Sequence, residues 1–168
     1  EEHRSCGNAK GDQCDDERAE HAHIVPEARV DSGDVTAVAI DGEHLAAELR
    51  AEVERGVAEL AAAGVVPGLA TLLVGDEYAS AAYERRVRRL AEELGCRYAC
   101  EQLPGDAEEA EVLAIVGKLN ADPRVSGILV LRPLPRHVDE GHVYRTLDPL
   151  KDIEAVHPDN AGLLALGQ

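Results

Sequence analysis

Three strand candidates, each followed by a stretch with helical periodicity, constrain the fold of this chain more than any other feature of its sequence. They cover residues 69–74, 97–103 and 127–131. Strands that alternate with helices are joined by right-handed crossovers and pair in parallel. We therefore expect an α/β fold, a three-layer domain with a mostly parallel sheet covered by helices on both faces.

The first two helices have recognisable ends. Asp41 is a favourable N-cap for a helix that we expect to end at Gly64, where a left-handed cap prefers glycine. We expect Ser80 to cap a second helix over about residues 81–94, and Gly95 to close it. An apolar stripe at nearly every fourth position of the first helix comprises Leu45, Leu49, Val53, Val57 and Leu60.

Later segments carry similar signals. Asp106 and Glu109 resemble a capping box that opens a third helix. A short fourth helix is expected over about residues 139–147, and residues 38–40 are expected to be extended. Ligands of open parallel sheets bind outside the carboxyl ends of the strands, so the loops after residues 74 and 131 are the candidate site.

The amino-terminal segment differs from the rest of the chain. It is rich in Asp, Glu, Gly and His and lacks hydrophobic periodicity, so we expect a disordered acidic tail over residues 1–35 and one folded domain over residues 36–168. Its possible zinc ligands are Cys6, Cys14, His21 and His23. Their spacing does not fit a zinc finger, and we predict no metal site.

The strongly negative net charge of the chain argues against several classes of binding partner. With 17 basic and 33 acidic residues, the chain has a formal net charge of -16, which disfavours nucleic acid and anionic membranes. No apolar run approaches the roughly 18 residues that a membrane helix needs. The first residues resemble neither a secretory signal nor a mitochondrial transit peptide, so we expect a cytoplasmic protein.

Three segments carry a more specific signal. Residues 74–83 read VGDEYASAAY, residues 127–135 read GILVLRPLP, and residues 149–162 read PLKDIEAVHPDNAG. In order and spacing they resemble the V-G-x-x-x-A-S-x-x-Y, G-I-L-V-Q-L-P-L-P and K-D-V-D-G-x-H-P-x-N-x-G blocks of the bifunctional methylenetetrahydrofolate dehydrogenase/methenyltetrahydrofolate cyclohydrolases. The resemblance extends over about residues 38–164 and concerns the amino-terminal, folate-binding domain of that family.

The resemblance implies a ligand and partners. In this family the amino-terminal domain helps to hold tetrahydrofolate, the substrate, in a cleft, and a following Rossmann domain binds NAD(P). No G-x-G-x-x-G motif occurs in this sequence, so NAD(P) is expected only through a further domain downstream of it. The family commonly forms homodimers, which makes a second copy the expected protein partner.

Two residues match the family's substrate-binding positions. Tyr83 corresponds to the tyrosine that packs on the pterin, and aromatic stacking at the mouth of a cleft suits that role. Glu154 corresponds to the aspartate that recognises the pterin's donor groups, with a side chain one methylene longer. Pro133 lies in the loop that completes the expected site. Without the surrounding motif, Tyr83 is more simply a tyrosine on a half-buried helix face.

Two other positions depart from the family pattern. The catalytic lysine, four residues after the tyrosine, is Val87 here, and the glutamine that contacts that lysine is Leu131. Valine can neither relay a proton nor stabilise developing negative charge. The nearby arginines stay protonated and are expected to form a solvated helix face; they are Arg85, Arg86, Arg88 and Arg89.

The third block is expected to shape a loop. Lys151, Asp152 and His157 are retained from the family pattern, and Ala155 replaces its usual glycine. For His157, a structural role is preferred over a catalytic one.

Three functions stay open on sequence alone. The first is an enzyme of folate-dependent one-carbon interconversion whose cyclohydrolase step is impaired, because that step relies most on the lysine and glutamine. The second is a non-catalytic folate-binding or regulatory paralogue. The third is a structural partner in a dimer. Catalytic activity of this chain is therefore uncertain, although the family it resembles is enzymatic.

Overall fold

The computed structural model describes residues 40–168. The predicted tail, the extended residues 38 and 39 and the group of cysteines and histidines lie outside the described residues. The helices and strands are α1 Gly42–Ala62, β1 Gly68–Val74, α2 Tyr78–Glu93, β2 Arg97–Leu103, α3 Glu109–Ala121, β3 Gly127–Val130, α4 Glu140–Thr146 and α5 Pro158–Ala165.

The three strands form one parallel sheet in the order β2-β1-β3, with β1 at its centre. Thr71 of β1 pairs with Cys100 on one side and with Leu129 on the other. Beyond β3, Asp152 forms an isolated parallel bridge with Ile128. The expected α/β class with a parallel sheet is confirmed.

The two faces of the sheet bury different sets of side chains, because successive residues of a strand point to opposite faces. On the first face, α3 and α4 cover a cluster whose strand members are Ala70, Leu72, Val74, Ile128 and Val130. On the second face, α2 covers a smaller cluster of Leu73, Leu129 and Leu131, with Ala81 and Val87 packed against it.

The predicted start of α2 was wrong by about three residues. Glu77 is the N-cap, and its carboxylate accepts a hydrogen bond from the main-chain N–H of Ser80 at 2.9 Å. Ser80 therefore lies inside the first turn. Since Glu is an unusual N-cap and Ser a common one, propensity alone favoured the wrong residue.

The capping box of α3 also lies two residues later than predicted. Glu108 is the N-cap, and its main-chain N–H donates to Glu111 at 2.8 Å. Asp106 precedes the helix and is exposed. The sequence offers two acidic pairs with the same spacing, and only packing of the helix distinguishes them.

Helix α1 begins and ends where the sequence indicates. Asp41 accepts from the main-chain N–H of His44 at 2.9 Å, and Gly64 has φ +78°. None of its 21 residues is buried among the described residues, so its apolar stripe is open to solvent. Within residues 40–168, no helix combines the length and apolarity needed to cross a lipid bilayer.

Helix α5 was not anticipated from the sequence. His157 is its N-cap, and the ring Nδ1 of His157 accepts from the main-chain N–H of Asp159 at 3.2 Å. Pro158 occupies the first helical position, where its missing N–H costs nothing. That proline was the available signal.

Candidate functional site

The loops that follow β1 and β3 meet at the carboxyl end of the sheet. The hydroxyl of Ser80, in the first turn of α2, donates to the main-chain oxygen of Arg132 at 2.8 Å. Arg132 stands directly after Leu131, and its peptide bond to Pro133 is cis. One buried hydroxyl thus joins the first two sequence blocks that carry the family resemblance.

The first turn of α2 is also held from the other side. Hydrogen bonds from the main-chain N–H and the hydroxyl of Ser80 hold the pKa of Glu77 below its usual range. The ionised carboxylate at the helix start is favoured further by the helix dipole. The contacts of Ser80 therefore fix the turn that precedes Tyr83.

Val87 and Leu131, which the sequence pattern predicts to stand at the family's lysine and glutamine positions, lie in one apolar cluster. Leu131 is buried, with 3 % of its surface exposed, and Val87 packs with Leu73, Leu129 and Leu131. Every side chain of this cluster is a hydrocarbon. No proton donor, acceptor or charge is presented by either position.

Tyr83 lies one turn before Val87 on α2 and exposes 53 % of its surface. Residues four apart occupy the same side of a helix, so the phenol ring stands beside the apolar cluster. A half-exposed aromatic ring next to an apolar floor can stack on a flat ligand. Pro133, two residues beyond Leu131, is exposed at the same end of the sheet.

Asp152 organises the loop of the third block. Its carboxylate accepts from the main-chain N–H of Glu154 at 3.2 Å, of Val156 at 3.3 Å and of His157 at 2.9 Å, and from the amide of Asn160 at 3.0 Å. Burial opposes ionisation, but these hydrogen bonds outweigh it and hold the pKa of Asp152 below its ordinary value. The loop is therefore folded around one carboxylate.

Lys151 holds the same loop to the end of α3. Its ammonium donates to the main-chain oxygens of Leu119 at 3.2 Å, Asn120 at 2.7 Å and Asp122 at 2.8 Å. A cation at the carboxyl end of a helix satisfies carbonyls that have no partner within the helix. The contacts of Lys151 agree with the loop-shaping role expected of it.

Glu154 is exposed and follows by two residues the bridge that Asp152 forms with Ile128 of β3. Its charge reaches Tyr144 of α4. Burial and the carboxylate of Glu140 raise the pKa of Tyr144, Arg132 acts in the opposite sense, and Glu154 raises it further. The charges of Arg132 and Glu154 therefore both act on the phenol of Tyr144.

Sequence reasoning missed a buried polar network next to Tyr83. Glu84 is 5 % exposed and accepts from the hydroxyl of Tyr98 at 2.9 Å and from Arg88 at 2.7 Å. The Tyr98 hydroxyl also bonds to Thr71 at 2.6 Å. Burial and the Glu84 carboxylate raise the pKa of Tyr98, so its phenol stays protonated and can donate.

This network corrects the expectation that the arginine cluster is a solvated face. Arg88 is only 33 % exposed at its side chain, and its guanidinium lies over the ring of Tyr98, 5.4 Å from the centroid. The expectation holds for the other three, which are exposed: Arg85, Arg86 and Arg89. A glutamate four residues before an arginine was the available signal.

The described residues offer no obvious metal centre. Within residues 40–168, no three His, Cys, Asp or Glu side chains are grouped closely enough to hold an ion. Cys96 and Cys100 are half-buried and form no disulfide among the described residues. Burial raises the pKa of the Cys96 thiol.

The fold defines an open parallel α/β domain whose candidate site is assembled from the loops at the carboxyl ends of its strands. Residues 40–154 match the family model described as "Tetrahydrofolate dehydrogenase/cyclohydrolase, catalytic domain". The chain therefore belongs to the tetrahydrofolate dehydrogenase/cyclohydrolase family. The resemblance inferred from the three sequence blocks is confirmed.

Individual relatives agree with this assignment. The chain is 70 % identical over 129 residues to the bifunctional protein FolD 3 of Rubrobacter xylanophilus. The matched segment covers 77 % of this chain and 41 % of that relative. It is similar to the crystal structure of the bifunctional enzyme FolD from Campylobacter jejuni, with 35 % sequence identity and a TM-score of 0.73. The match covers 76 % of this chain and 45 % of the Campylobacter chain.

A third similar protein was solved as a complex with ligands. The FolD of Trypanosoma brucei, solved with NADP cofactor and inhibitor, is 32 % identical with a TM-score of 0.71, over 76 % of this chain and 44 % of that one. This chain thus spans less than half the length of each of these three relatives.

Proposed function

We propose that this chain is the folate-binding part of a methylenetetrahydrofolate dehydrogenase/cyclohydrolase whose cyclohydrolase step is impaired. Its family membership supports the ligand class. The packing of Val87 against the apolar cluster that contains Leu131, at the predicted positions of the family's lysine and glutamine, supports the impairment. This packing is the single observation on which the second half of the proposal depends.

Binding is assigned to the residues that match the family's substrate-binding positions and to their apolar neighbours in sequence. Tyr83 stacks on the pterin, and the carboxylate of Glu154 accepts from the ring N–H and amino group. Val87 and Pro133 supply apolar surface beneath the ligand, and the buried Leu131 belongs to the cluster against which Val87 packs. Desolvation of a flat ring against hydrocarbon contributes binding free energy without requiring any proton transfer.

Hydrolysis of the methenyl bridge requires proton transfer at two atoms. Water must lose a proton as it attacks the bridge carbon, and the leaving nitrogen must gain one. An amine can hold and release such a proton, and an amide can orient it, whereas two alkyl side chains can do neither. Hydride transfer needs positioning of the two reactants more than a base, so the dehydrogenase step is less affected.

The described residues do not provide a recognisable NAD(P) site. The sequence contains no G-x-G-x-x-G turn of the kind that receives a pyrophosphate. A downstream Rossmann domain, a homodimer, a cytoplasmic location and the division into residues 1–35 and 36–168 stay predictions.

The cyclohydrolase proposal is tested by restoring the two polar groups. The Val87→Lys, Leu131→Gln double variant is expected to hydrolyse methenyltetrahydrofolate at least about 100-fold faster than the parent, the order of magnitude that one general acid–base group contributes. The measurement is the loss of methenyl absorbance. The matched control is Val87→Leu with Leu131→Met, which changes the same positions and keeps them apolar. Equal rates for the parent and both folded double variants contradict the site assignment.

Folate binding is tested by thermal unfolding. A tetrahydrofolate analogue at 100-fold excess over its Kd is expected to stabilise the chain by about 2.7 kcal/mol. Tyr83→Ala is expected to weaken that effect. The control is Tyr78→Ala, because Tyr78 is an exposed tyrosine of the same helix. No stabilisation of the parent at millimolar ligand contradicts folate binding altogether.

A non-catalytic folate-binding or regulatory protein is the second candidate, and the same packing of Val87 against the cluster of Leu131 favours it. The two candidates differ in the dehydrogenase reaction. Oxidation of methylenetetrahydrofolate by this chain joined to the predicted Rossmann domain, assayed with NAD(P), supports the enzyme. Folate binding without oxidation supports the paralogue. Failure of folate binding leaves a structural dimer partner, which is tested by sedimentation.

A further inference from the structure

Arg86 is an exposed cation of α2 that makes no hydrogen bond or ion pair within residues 40–168. Side chains of the same helix that could neutralise it stand three or four residues away. The residues at these distances are Ala82, Tyr83, Arg89 and Leu90. None of them is acidic, and Arg89 adds a second positive charge. The positive charge of Arg86 therefore has no counter-ion on its own helix.

Three contacts fix the rotation of α2 against the sheet. The hydroxyl of Ser80 donates to the main-chain oxygen of Arg132 at 2.8 Å. About one turn later, the buried carboxylate of Glu84 accepts from the hydroxyl of Tyr98 of β2 at 2.9 Å. Val87 packs against the leucine cluster of the second face. These contacts hold one side of α2 against the sheet and leave its other side open to solvent.

Tyr83 and Arg86 are neighbours on the open side of α2. Both are exposed, and their spacing of three residues brings their Cβ atoms to about 5–6 Å from each other. Arg85 is also exposed, but residues two apart on a helix do not face each other. A ligand that stacks on Tyr83 therefore lies next to Arg86 and not next to Arg85.

The charge of the whole chain favours a small anion over a large one at this position. The formal net charge is -16, so a macromolecular anion would be repelled over most of its contact area. Charges beyond about 8 Å are largely screened at physiological ionic strength, so a small anion beside Arg86 experiences mainly that local positive charge.

Folate combines a group for Tyr83 with a group for Arg86. It consists of a flat pterin, an aminobenzoyl linker and a glutamate that carries two carboxylates. Along the axis of α2, Arg86 and Arg89 lie about 4.5 and 9 Å beyond Tyr83, at about 1.5 Å per residue. The length of an arginine side chain extends this reach to carboxylates at the end of the linker.

We propose that Arg86 is a substrate-binding residue that donates to the glutamate carboxylates of a folate whose pterin stacks on Tyr83. This inference rests on the proposed folate binding. A guanidinium matches a carboxylate through two parallel N–H···O hydrogen bonds. Its consequence is that the chain selects folates by the charge at their glutamate end as well as by their ring, and that further glutamates, which reach Arg89, strengthen binding.

The test uses a matched pair of ligands, folic acid and its diamide, in which both glutamate carboxylates are carboxamides. Their Kd values are measured by calorimetry for the parent chain, for Arg86→Gln and for the control Arg85→Gln. The parent is expected to prefer folic acid on the order of fivefold, the upper end for a solvent-exposed ion pair. Arg86→Gln is expected to lose this preference, which should also shrink in about 1 M salt, where the Debye length is about 3 Å.

The possible outcomes separate this inference from the proposed function. Loss of the preference in Arg86→Gln, with the Kd of the diamide and the behaviour of Arg85→Gln unchanged, supports the role of Arg86. Equal weakening of both ligands by Arg86→Gln overturns it, because the side chain then acts on the ring site. Equal affinity of the parent for both ligands, or an equal loss in Arg85→Gln, also overturns it. No binding of either ligand by the folded parent overturns the proposed folate binding and this inference with it.

Discussion

The two faces of the central sheet are built from adjacent residues of the same strands, yet they differ in chemistry. The first face, under α3 and α4, buries fourteen hydrophobic residues in one cluster. The second face, under α2, buries three leucines and a polar network around Glu84. The difference indicates that the first face supplies most of the stability, whereas the second carries the candidate site and is less tightly constrained.

This division has a physical basis in the environment of each cluster. A large, closed cluster leaves a void when one side chain is shortened, because its neighbours cannot all relax. A small cluster beside a half-exposed helix can collapse or admit water. Substitutions at the candidate site are therefore tolerated more easily than substitutions on the first face.

The largest expected effect separates the faces directly. Leu72 and Leu73 are neighbours in β1 and point to opposite faces, with 0 % and 4 % exposure. Leu72→Ala is expected to lower the free energy of unfolding by about 4 kcal/mol, and Leu73→Ala by about 2.5 kcal/mol, since the cost grows with the cavity that remains. Urea unfolding of both variants measures the difference. Equal losses contradict the contrast between the faces.

The second prediction concerns the edge of the sheet formed by β3, where the loop around Asp152 is attached. Asp152 pairs with Ile128, a member of the first cluster. Ile153 lies against Gly127, where an added Cβ would come within 2.6 Å of its Cγ2 atom. Asp152→Asn keeps the shape of the side chain but turns an acceptor into a donor against main-chain N–H groups. We expect a loss of about 2 kcal/mol at neutral pH.

This loss should depend on pH. The pKa of Asp152 is depressed in the folded state by its hydrogen bonds, which outweigh burial. The stabilisation is therefore present above the unfolded pKa, about 3.9, and is lost as the pH falls through the folded pKa. The difference between the parent and Asp152→Asn should shrink as the pH falls below the unfolded pKa of about 3.9. The control is Asp106→Asn, an exposed aspartate, for which no such difference is expected. If the difference in the free energy of unfolding between the parent and Asp152→Asn stays constant with pH, the depressed pKa of Asp152 is contradicted.

The third prediction addresses the polar part of the second face. Tyr98→Phe removes the hydroxyl that joins Thr71 to Glu84 and is expected to destabilise the chain by about 1 kcal/mol, because the buried carboxylate keeps Arg88 but loses one donor. Tyr78→Phe is the matched control, since Tyr78 is 81 % exposed. Identical melting temperatures for the two variants would show that the network contributes nothing to stability.

Much of this architecture could be predicted from the sequence because its signals are local. The buried run of β1, the glycines at 64 and 95 and the proline after Asp122 mark elements through backbone preferences alone. The start of α2 could not be predicted, because Glu77 competes with Ser80 and the outcome depends on a contact with Arg132. Helix α5 was hidden for a similar reason, since histidine is rarely an N-cap.

Residues for a candidate site could be chosen from the sequence, whereas their contacts could not be predicted from it. Motif spacing identified Val87 and Leu131, and the structure places them in one cluster. The hydrogen bond between Glu84 and Tyr98 joins residues 14 positions apart, and no local sequence pattern predicts such a pair. The hydrogen bonds of Lys151 to the end of α3 likewise depend on how the loop packs.

The smallest expected effect is a gain in stability beside Glu154. Ala155 has φ +56°, a left-handed conformation that costs a residue with a Cβ roughly 1–2 kcal/mol. The family pattern has glycine at this position. Ala155→Gly removes that strain but adds entropy to the unfolded chain, so we expect a net stabilisation of about 0.5 kcal/mol. Ala161→Gly, within α5, is the matched control and should destabilise by roughly 0.5–1 kcal/mol. Chemical unfolding of both variants gives the two signs. If both glycines destabilise the chain to the same extent, the loop around Asp152 does not hold residue 155 in the left-handed region in solution, and the edge of the sheet is less rigid than its hydrogen bonds indicate.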